Sequence, residues 1–266
     1  MKVGVVGIAG RMGQTLAQEL NKISGVYLAA ATENPNGVHI GQTIGEITGI
    51  KKLDIQVKDT PEHMFETCDV VIDFSTPKLI KTHAELAIKY KTNLVVGTTG
   101  LDEEDEKNLN RAAQKVTVVQ AGNMSLGVNI LQGLTKKIAA ILDEAWDIEV
   151  IEMHHRHKVD APSGTALMLG KAAAEGRGVS LEEKGVMERK GHTGARKDGD
   201  IGFATLRGGS VVGEHSVIFA GEDELIELKH TALSRVIFAK GAIRAAMWCD
   251  GHAPGRYDMQ DVLGLE

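Results

Sequence analysis

The segment EMHHRHKVDAPSGTA, residues 152–166, groups side chains that can bind anions and move protons. His154 and Lys158 are four residues apart, so we expect them to share a face in an extended or a helical segment. A PSGT turn then precedes an apolar helical pattern, and the N–H groups of Gly164 and Thr165 are expected to point at a carboxylate. Crowding by cations lowers the pKa of a histidine or lysine, which suits proton transfer near neutral pH. The segment therefore predicts a pocket for an anionic substrate.

Other uses of this segment fit the sequence less well. A zinc site is not expected, because HExxH spacing is absent and no cysteine lies nearby. The formal net charge of −6 and the aromatic content of 4% argue against a nucleic-acid binder. A solvated basic loop is the plain alternative. Arg156 and His157 are given no catalytic role; they either raise the local potential or pair with Glu152 and Asp160.

A second chemical signal lies at the N-terminus. The stretch Gly7-Ile8-Ala9-Gly10-Arg11-Met12-Gly13 follows an apolar strand pattern and opens a helix. Glycines there allow a tight turn and a close approach of the backbone to a pyrophosphate, which the helix N-terminus also attracts. The spacing is GxxGxxG rather than the commoner GxGxxG, so the interpretation as a dinucleotide site needs support from the surrounding sequence. A plain strand–turn–helix with the same glycines is the alternative.

That support is an acid at the end of the next predicted strand. Glu33 stands 20 residues beyond Gly13, where a carboxylate can accept hydrogen bonds from a ribose. It is followed by Asn34, whereas a 2′-phosphate favours an arginine near this point; Arg11 is a possible substitute. The sequence therefore favours NADH over NADPH without excluding either. Polar turns that end two later strands are expected at the same ligand-binding edge: Gly97-Thr98-Thr99 and Ala121-Gly122-Asn123.

These residues need a scaffold, and the first half alternates strand and helix signals. Such alternation predicts βαβ units and a Rossmann-like, doubly wound parallel sheet. From about residue 125 a long helix pattern, 126–145, leads into strand patterns at 147–153, 201–207, 211–221 and 224–232. These predict an α+β unit with a mixed sheet, in which residues 177–200 form a long loop. The overall class is therefore α/β.

Composition indicates the cellular compartment of the protein. Cys68 and Cys249 lack CxxC spacing, which fits a reducing cytoplasm. No stretch approaches 18 apolar residues, and the N-terminus lacks the apolar run of a signal peptide. We expect a cytoplasmic protein without a membrane span.

The motifs resemble those of the dihydrodipicolinate reductase family from end to end. The matching stretches are GIAGRMG (7–13), DFSTP (73–77), VVGTTG (95–100), GNMSLGVN (122–129), EMHHRHKVDAPSGTA, GHTGAR (191–196), IGF (201–203), RGGSVVGEH (207–215), SRVIFAKGAIRAA (234–246) and YDMQDVL (257–263). The E-x-H-H-x-x-K-x-D-x-P-S-G-T run is highly specific to this family.

The resemblance implies a role for each matching position. It makes His154 the acid/base histidine and Lys158 the proton-donating lysine, and it places His155, Gly164 and Thr165 against the substrate carboxylates. The positions implied for the dinucleotide are Gly7, Ile8, Ala9, Gly10, Arg11, Met12, Glu33, Gly97, Thr98, Thr99, Ala121, Gly122, Asn123 and Met124. It also implies a dinucleotide-binding domain of residues 1–125 with 235–266. Residues 126–234 become the domain that binds the small dicarboxylate substrate and forms a homotetramer.

The expected activity is therefore NAD(P)H-dependent reduction of the dihydrodipicolinate or 4-hydroxy-tetrahydrodipicolinate ring to tetrahydrodipicolinate, in the diaminopimelate route to lysine. A Rossmann-type dehydrogenase acting on aspartate or homoserine is the alternative enzyme, but it gives no reason for the HHRHK–PSGT arrangement. A non-catalytic dinucleotide sensor is the alternative without chemistry. Such a sensor would need no proton donor.

Overall fold

The computed structural model describes residues 1–265, which divide into two units. The first contains Met1–Ser125 and Val236–Gly264, and the second contains Leu126–Arg235 with Leu265. The strands are β1 Lys2–Val6, β2 Tyr27–Thr32, β3 Val70–Asp73, β4 Asn93–Val96, β5 Thr117–Gln120, β6 Asp147–His154, β7 Gly185–Val186, β8 Ile201–Arg207, β9 Gly213–Ala220, β10 Leu225–Ala232 and β11 Gly255–Tyr257. The helices are α1 Arg11–Leu20, α2 Ile44–Thr48, α3 Glu62–Thr67, α4 Ile80–Tyr90, α5 Glu103–Ala113, α6 Leu126–Ile141, α7 Gly164–Arg177, α8 Leu181–Lys184, α9 Val236–Cys249 and α10 Met259–Leu263, with a 3-10 turn at Pro77–Leu79.

The first unit is built on a six-stranded parallel sheet in the order β11-β5-β4-β3-β1-β2. Its central strands are rich in valine and are buried on both faces, because helices cover both sides. α1 packs against α9, and α4 packs against α5. The predicted Rossmann-like, doubly wound parallel sheet is confirmed.

The second unit has a five-stranded sheet in the order β10-β9-β6-β8-β7. β6 pairs parallel with β8 and antiparallel with β9, so the sheet is mixed, as predicted. α6 and α7 pack on each other, and α7 contacts β6, β8 and β9. Every second residue of β6 is buried: Ile148 and Val150, then Glu152 and His154. The buried face of β6 therefore changes from apolar to polar towards its C-terminal end.

Several short elements differ from the prediction. The loop expected over 177–200 is wrong in part, because it contains α8 and the two-residue β7, which pairs with the start of β8. Three ion pairs also tie this segment to β6: Glu149 accepts from both Arg189 and Arg196, and Arg196 also pairs with Asp147. α2, β11 and α10 have no counterpart in the prediction. All of these elements are too short to give a clear periodic pattern.

Candidate active site

The side chains of Glu152 and His154 meet on the buried face at the end of β6. Nδ1 of His154 lies 2.5 Å from Oε2 of Glu152, whose side chain is shielded from solvent. Arg207, at the end of β8, donates through Nη1 to Oε2 over 2.8 Å and through Nη2 to Oε1 over 2.9 Å. Since β8 lies next to β6, the sheet itself brings this cation to the carboxylate.

The carboxylate of Glu152 is held in its charged form. Burial raises its pKa, but the hydrogen bonds from Arg207, His154 and the backbone of Ser163 outweigh that effect, and the pKa is lowered overall. A carboxylate only accepts hydrogen bonds, so the proton between the two side chains belongs to Nδ1 of His154. Nε2 is then the ring atom through which His154 can exchange a proton.

The same carboxylate also binds the turn that starts α7. The backbone N–H of Ser163 donates to Oε1 of Glu152 over 3.0 Å. The hydroxyl of Ser163 caps α7 by accepting from the N–H of Ala166 at 3.1 Å. The predicted helix start at PSGT is therefore present, and α7 begins at Gly164. His154 and this helix start are brought together by one buried side chain.

A second buried histidine, His215 on β9, stands beside the pair. Its ring meets that of His154 edge-on, with the ring centroids 5.0 Å apart, and its Nε2 lies 3.3 Å from the hydroxyl of Ser163. Burial, followed by the nearby His154, lowers the pKa of His215 from 6.5 to about 4. His215 is therefore neutral at physiological pH and adds no positive charge to the site.

The prediction that His154 and Lys158 lie on one face of a strand or helix is wrong. β6 ends at His154 and the chain turns, with the N–H of Lys158 donating to the carbonyl of His155 over 3.1 Å. Lys158 is thus on neither a strand nor a helix. Its Nζ lies 2.9 Å from Oδ1 of Asp160, and this ion pair lowers the pKa of Asp160.

The other members of the basic run take different places. The pKa of His155 is lowered, first by burial and then by Arg235 and His157, so the expected depression of a crowded histidine is found there. The buried Nδ1 of His155 makes no hydrogen bond within residues 1–265. Of the two alternatives for Arg156 and His157, pairing with Glu152 and Asp160 is not found, because Glu152 binds His154 and Arg207, and Asp160 binds Lys158.

The glycine loop of the first unit has the geometry that a pyrophosphate requires. Gly7 has a φ of 70°, and a Cβ on Gly13 would lie 2.2 Å from the carbonyl oxygen of Gly7. Gly10 is the N-cap of α1, so no side chain caps that helix, and its first N–H groups remain available to an anion. The loop therefore fits a dinucleotide, with Ile8, Ala9, Arg11 and Met12 between or beside these glycines.

The later polar turns also follow parallel strands. Gly97-Thr98-Thr99 comes after β4, and Ala121 to Met124 comes after β5, so both turns lie at the carboxyl edge of the sheet. The N–H of Gly97 donates to the carbonyl of Asp73 over 2.9 Å, and the hydroxyl of Thr98 lies 3.3 Å from Oδ1 of Asp73. The end of β3 thus fixes the turn after β4.

Comparison with known proteins identifies the chain. Residues 1–124 match the family model described as dihydrodipicolinate reductase, N-terminus, and residues 127–263 match the one described as dihydrodipicolinate reductase, C-terminus. The chain belongs to the dihydrodipicolinate reductase family. The resemblance carried by its motifs is therefore confirmed, and the protein is an oxidoreductase of a family that binds a nicotinamide dinucleotide.

Individual relatives of the dihydrodipicolinate reductase family match over almost their whole length. A protein of Sinorhizobium medicae named 4-hydroxy-tetrahydrodipicolinate reductase is 51% identical over 267 residues, covering 100% of this chain and 98% of its own. One of Agrobacterium fabrum with the same name is 53% identical, covering 100% and 97%. The dipicolinate-bound dihydrodipicolinate reductase from Paenisporosarcina sp. TG-14 has a TM-score of 0.78 at 25% identity, covering 98% of both chains. An amine dehydrogenase from Mycobacterium smegmatis, with a TM-score of 0.64, is 12% identical and covers 96% and 94%, so it shows only a shared fold.

Sequence reasoning missed part of this dihydrodipicolinate reductase site. It gave Glu152 no role beyond pairing with Arg156 or His157, and it gave none to Arg207, His215 or Ser163. The alternation of β6 was the available signal, because residues 148, 150, 152 and 154 must share one face of a strand. Within residues 1–265, no group of three His, Cys, Asp or Glu side chains could hold a metal ion, and no helix is long and apolar enough to cross a membrane.

Proposed function

We propose that the protein reduces a cyclic imine bearing two carboxylates, with NAD(P)H as the reductant. The substrate is the dihydrodipicolinate ring or its precursor, 4-hydroxy-tetrahydrodipicolinate, and the product is tetrahydrodipicolinate in the diaminopimelate route to lysine. The relatives named for this reaction support the choice, since they match over the full chain. One structural observation carries it: a single buried carboxylate binds both the proton-exchanging His154 and the start of α7.

The substrate carboxylates are proposed to bind in the second unit. The N–H groups of Gly164 and Thr165 lie in the first turn of α7, where the helix dipole favours an anion. A Cβ built on Gly164 would meet no atom within 4 Å, so the space beside its backbone is open. His155 is proposed as a further contact, because its buried Nδ1 has no partner among residues 1–265 and an unpaired buried polar atom is costly unless a ligand satisfies it.

Proton transfer is proposed for His154 and Lys158. Nicotinamide, when bound, supplies the hydride to a ring carbon conjugated with the C=N group. The neighbouring carbon then needs one proton, which the His154/Lys158 pair supplies, with Lys158 as the direct donor and His154 exchanging protons through Nε2. If the hydroxylated precursor binds, loss of water precedes the reduction.

The cofactor is proposed to bind in the first unit. Its pyrophosphate rests on residues 7–12, its adenosine ribose on Glu33, and its nicotinamide half along Gly97, Thr98, Thr99 and residues 121–124. We propose a preference for NADH over NADPH. A glutamate followed by Asn34 offers the 2′-position a hydrogen-bond acceptor and no cation, so a 2′-phosphate is repelled.

A homotetramer is proposed to form through the second unit. β10 is an edge strand, and exposed leucines lie on or beside this sheet at Leu206, Leu225 and Leu233. Edge strands and exposed apolar side chains are covered when subunits associate. Light scattering of the purified chain tests the tetramer; a monomer mass contradicts it.

We place the protein in the cytoplasm, because both cysteines are free and buried.

A turnover assay tests the proposed reaction. Oxidation of NADH or NADPH is followed with the substrate generated in situ, and aspartate and homoserine are tested in parallel as substrates of related dehydrogenases. We expect oxidation of the cofactor with the cyclic imine but not with aspartate or homoserine. Failure to oxidise either cofactor, or turnover only with an amino acid, contradicts the proposal.

A further inference from the structure

We infer that Glu152 is a positioning residue for the reaction, which sets the proton on Nδ1 of His154 and holds that ring in register with the start of α7. The inference deepens the proposed function and rests on it, because it needs His154 to act on the substrate's protons. Glu152 itself lies behind His154 and is only 1% exposed, so it acts through its neighbour.

The carboxylate of Glu152 has every acceptor position filled. Oε2 accepts from Nδ1 of His154 and Nη1 of Arg207, and Oε1 accepts from Nη2 of Arg207 and the N–H of Ser163. A carboxylate offers about four lone-pair sites, so no further donor is needed. The four bonds come from three residues, His154, Arg207 and Ser163, and together they fix the orientation of the carboxylate and therefore of His154.

Space has been left at the opposite nitrogen of His154. A Cβ on Gly213 would lie 3.1 Å from Nε2 of His154 and 3.5 Å from Cε1 of His215. Glycine at this position of β9 therefore keeps the atoms of a side chain away from the reactive nitrogen. Glu152 and Gly213 act from two sides, because Glu152 fixes Nδ1 and the absence of a side chain on Gly213 avoids a close contact with Nε2.

Arg207 offers a simpler explanation of Glu152 that has to be tested. A guanidinium largely shielded from water needs a counter-charge, and Glu152 could serve only to neutralise it. Arg207 has further bonds of its own, because Nη2 donates to the carbonyl of Asp160 over 2.7 Å. Arg207 thus also holds the turn that carries Lys158. This structural role of Arg207 is distinct from the bond between Glu152 and His154.

The tautomer of His154 is read directly from the unmodified protein. In ¹⁵N NMR spectra above the pH at which the ring becomes neutral, we expect the proton on Nδ1 and a bare Nε2. His154 is assigned by the loss of its signal in His154→Gln. A ring protonated on Nε2 overturns the inference without any variant of Glu152.

Kinetics of Glu152→Gln test the consequence for catalysis. An amide can donate to Nδ1 as well as accept from it, so the tautomer is no longer enforced, and kcat is expected to fall about 100-fold. The KM for the cofactor stays unchanged. The charged or titratable groups around His154 are Glu152 on its own strand, Arg207 on β8, His215 on β9, and Lys158 and His155 in the following turn. Glu152 is the one of these groups that hydrogen-bonds to Nδ1, so the ¹⁵N spectrum of Glu152→Gln is expected to show both neutral tautomers of His154.

The double variant Glu152→Gln/Arg207→Met separates positioning from neutralisation. It removes both buried charges, so the stability lost in Glu152→Gln is expected to return. kcat stays low and both tautomers of His154 remain, because the carboxylate touches the imidazole whereas the guanidinium reaches it only through that carboxylate. Recovery of the wild-type kcat and of the single Nδ1–H tautomer overturns the inference and leaves Glu152 a counter-ion.

Two further variants complete the experiment. Glu152→Asp keeps the charge and is expected to restore the Nδ1–H tautomer with only part of kcat. Glu214→Gln is the matched control, because this neighbouring acid on β9 pairs with Lys229, and full activity is expected. An inactive wild type, or a fully active His154→Gln, defeats the proposed function itself. If the wild type is active, His154→Gln is impaired and the double variant regains activity, only the inference about Glu152 is defeated.

Discussion

The backbone N–H of Ala9 donates to Oε2 of Glu33 over 2.9 Å, so the acid at the end of β2 lies directly against the glycine loop. The other oxygen of Glu33 accepts from the N–H of Asn34 over 2.9 Å. Gly7 and Ile8 also donate to the carbonyl of Thr32, at 2.8 and 3.1 Å. The loop proposed to hold the pyrophosphate and the residue proposed to hold the ribose are therefore one connected structure.

Asn34→Arg is expected to raise the ratio of kcat/KM with NADPH to that with NADH. A guanidinium beside Glu33 offsets the repulsion of a 2′-phosphate and donates to it. The substitution also removes the hydrogen bond that Oδ1 of Asn34 accepts from the N–H of Asn36 over 3.0 Å. Asn21→Arg, at the far end of α1, is the control and should leave the ratio unchanged. An unchanged ratio in Asn34→Arg places 2′-phosphate selection elsewhere, with Arg11 as the next residue to test.

Lys158→Ala is expected to lower kcat about 100-fold while leaving NADH affinity intact. The reason is that Lys158 is proposed to donate a proton, and it lies in the second unit, whereas the proposed cofactor positions lie in the first. Steady-state kinetics and a fluorescence titration with NADH measure the two effects. Lys171→Ala, an exposed lysine on α7, serves as the control. An equal loss of NADH affinity argues against a role in proton transfer.

Gly13→Ala is expected to destabilise the protein by about 1–3 kcal/mol, because the added methyl group overpacks the loop against its own backbone. That Cβ would lie 2.2 Å from the carbonyl oxygen of Gly7 and 2.6 Å from Cα of Ile8. Gly122→Ala is the matched control for stability, since its Cβ meets nothing within 4 Å. Urea unfolding measures both variants. Equal stabilities would mean that the loop relaxes around the methyl group.

His215→Gln is expected to reduce the acid sensitivity of folding. The folded-state pKa of His215, about 4, lies below its ordinary 6.5, so the unfolded chain takes up a proton first as the pH falls. This costs the wild type roughly 3 kcal/mol of unfolding free energy between pH 6.5 and pH 4. His215→Gln is not expected to lose this unfolding free energy as the pH falls. Urea unfolding at several pH values measures it, and parallel curves for the two proteins contradict the prediction.

The scaffold was largely predictable because the main strands and helices carry clear periodicity. β1 through β5 are buried on both faces and appear as apolar runs between helical patterns. β7 and β11 could not be found in this way, since they have two and three residues and depend on strands distant in sequence. The ordered part of 177–200 likewise depends on Glu149, a partner about 40 residues away for Arg189.

The candidate site was predictable where the chemistry is local in sequence. His154, Lys158 and the PSGT turn stand within one short segment, as do the glycines of residues 7–13. Arg207 is 55 residues from Glu152, and His215 is 52 from Ser163. Only strand pairing brings these residues together, so no spacing rule could have joined them. The buried pair of Asp73 and His83, 2.6 Å apart behind Thr98, was missed for a related reason, because it joins a strand to the helix that follows.

Isotope transfer tests the central claim most directly. The reaction is run with NADH carrying deuterium on the transferable position of the nicotinamide, with wild-type protein and His154→Gln, and the tetrahydrodipicolinate is examined by NMR and mass spectrometry. We predict one deuterium on a ring carbon of the product, a solvent-derived proton on the neighbouring carbon, and a much lower rate in His154→Gln. Product without cofactor deuterium, or an unchanged rate in His154→Gln, would contradict the account.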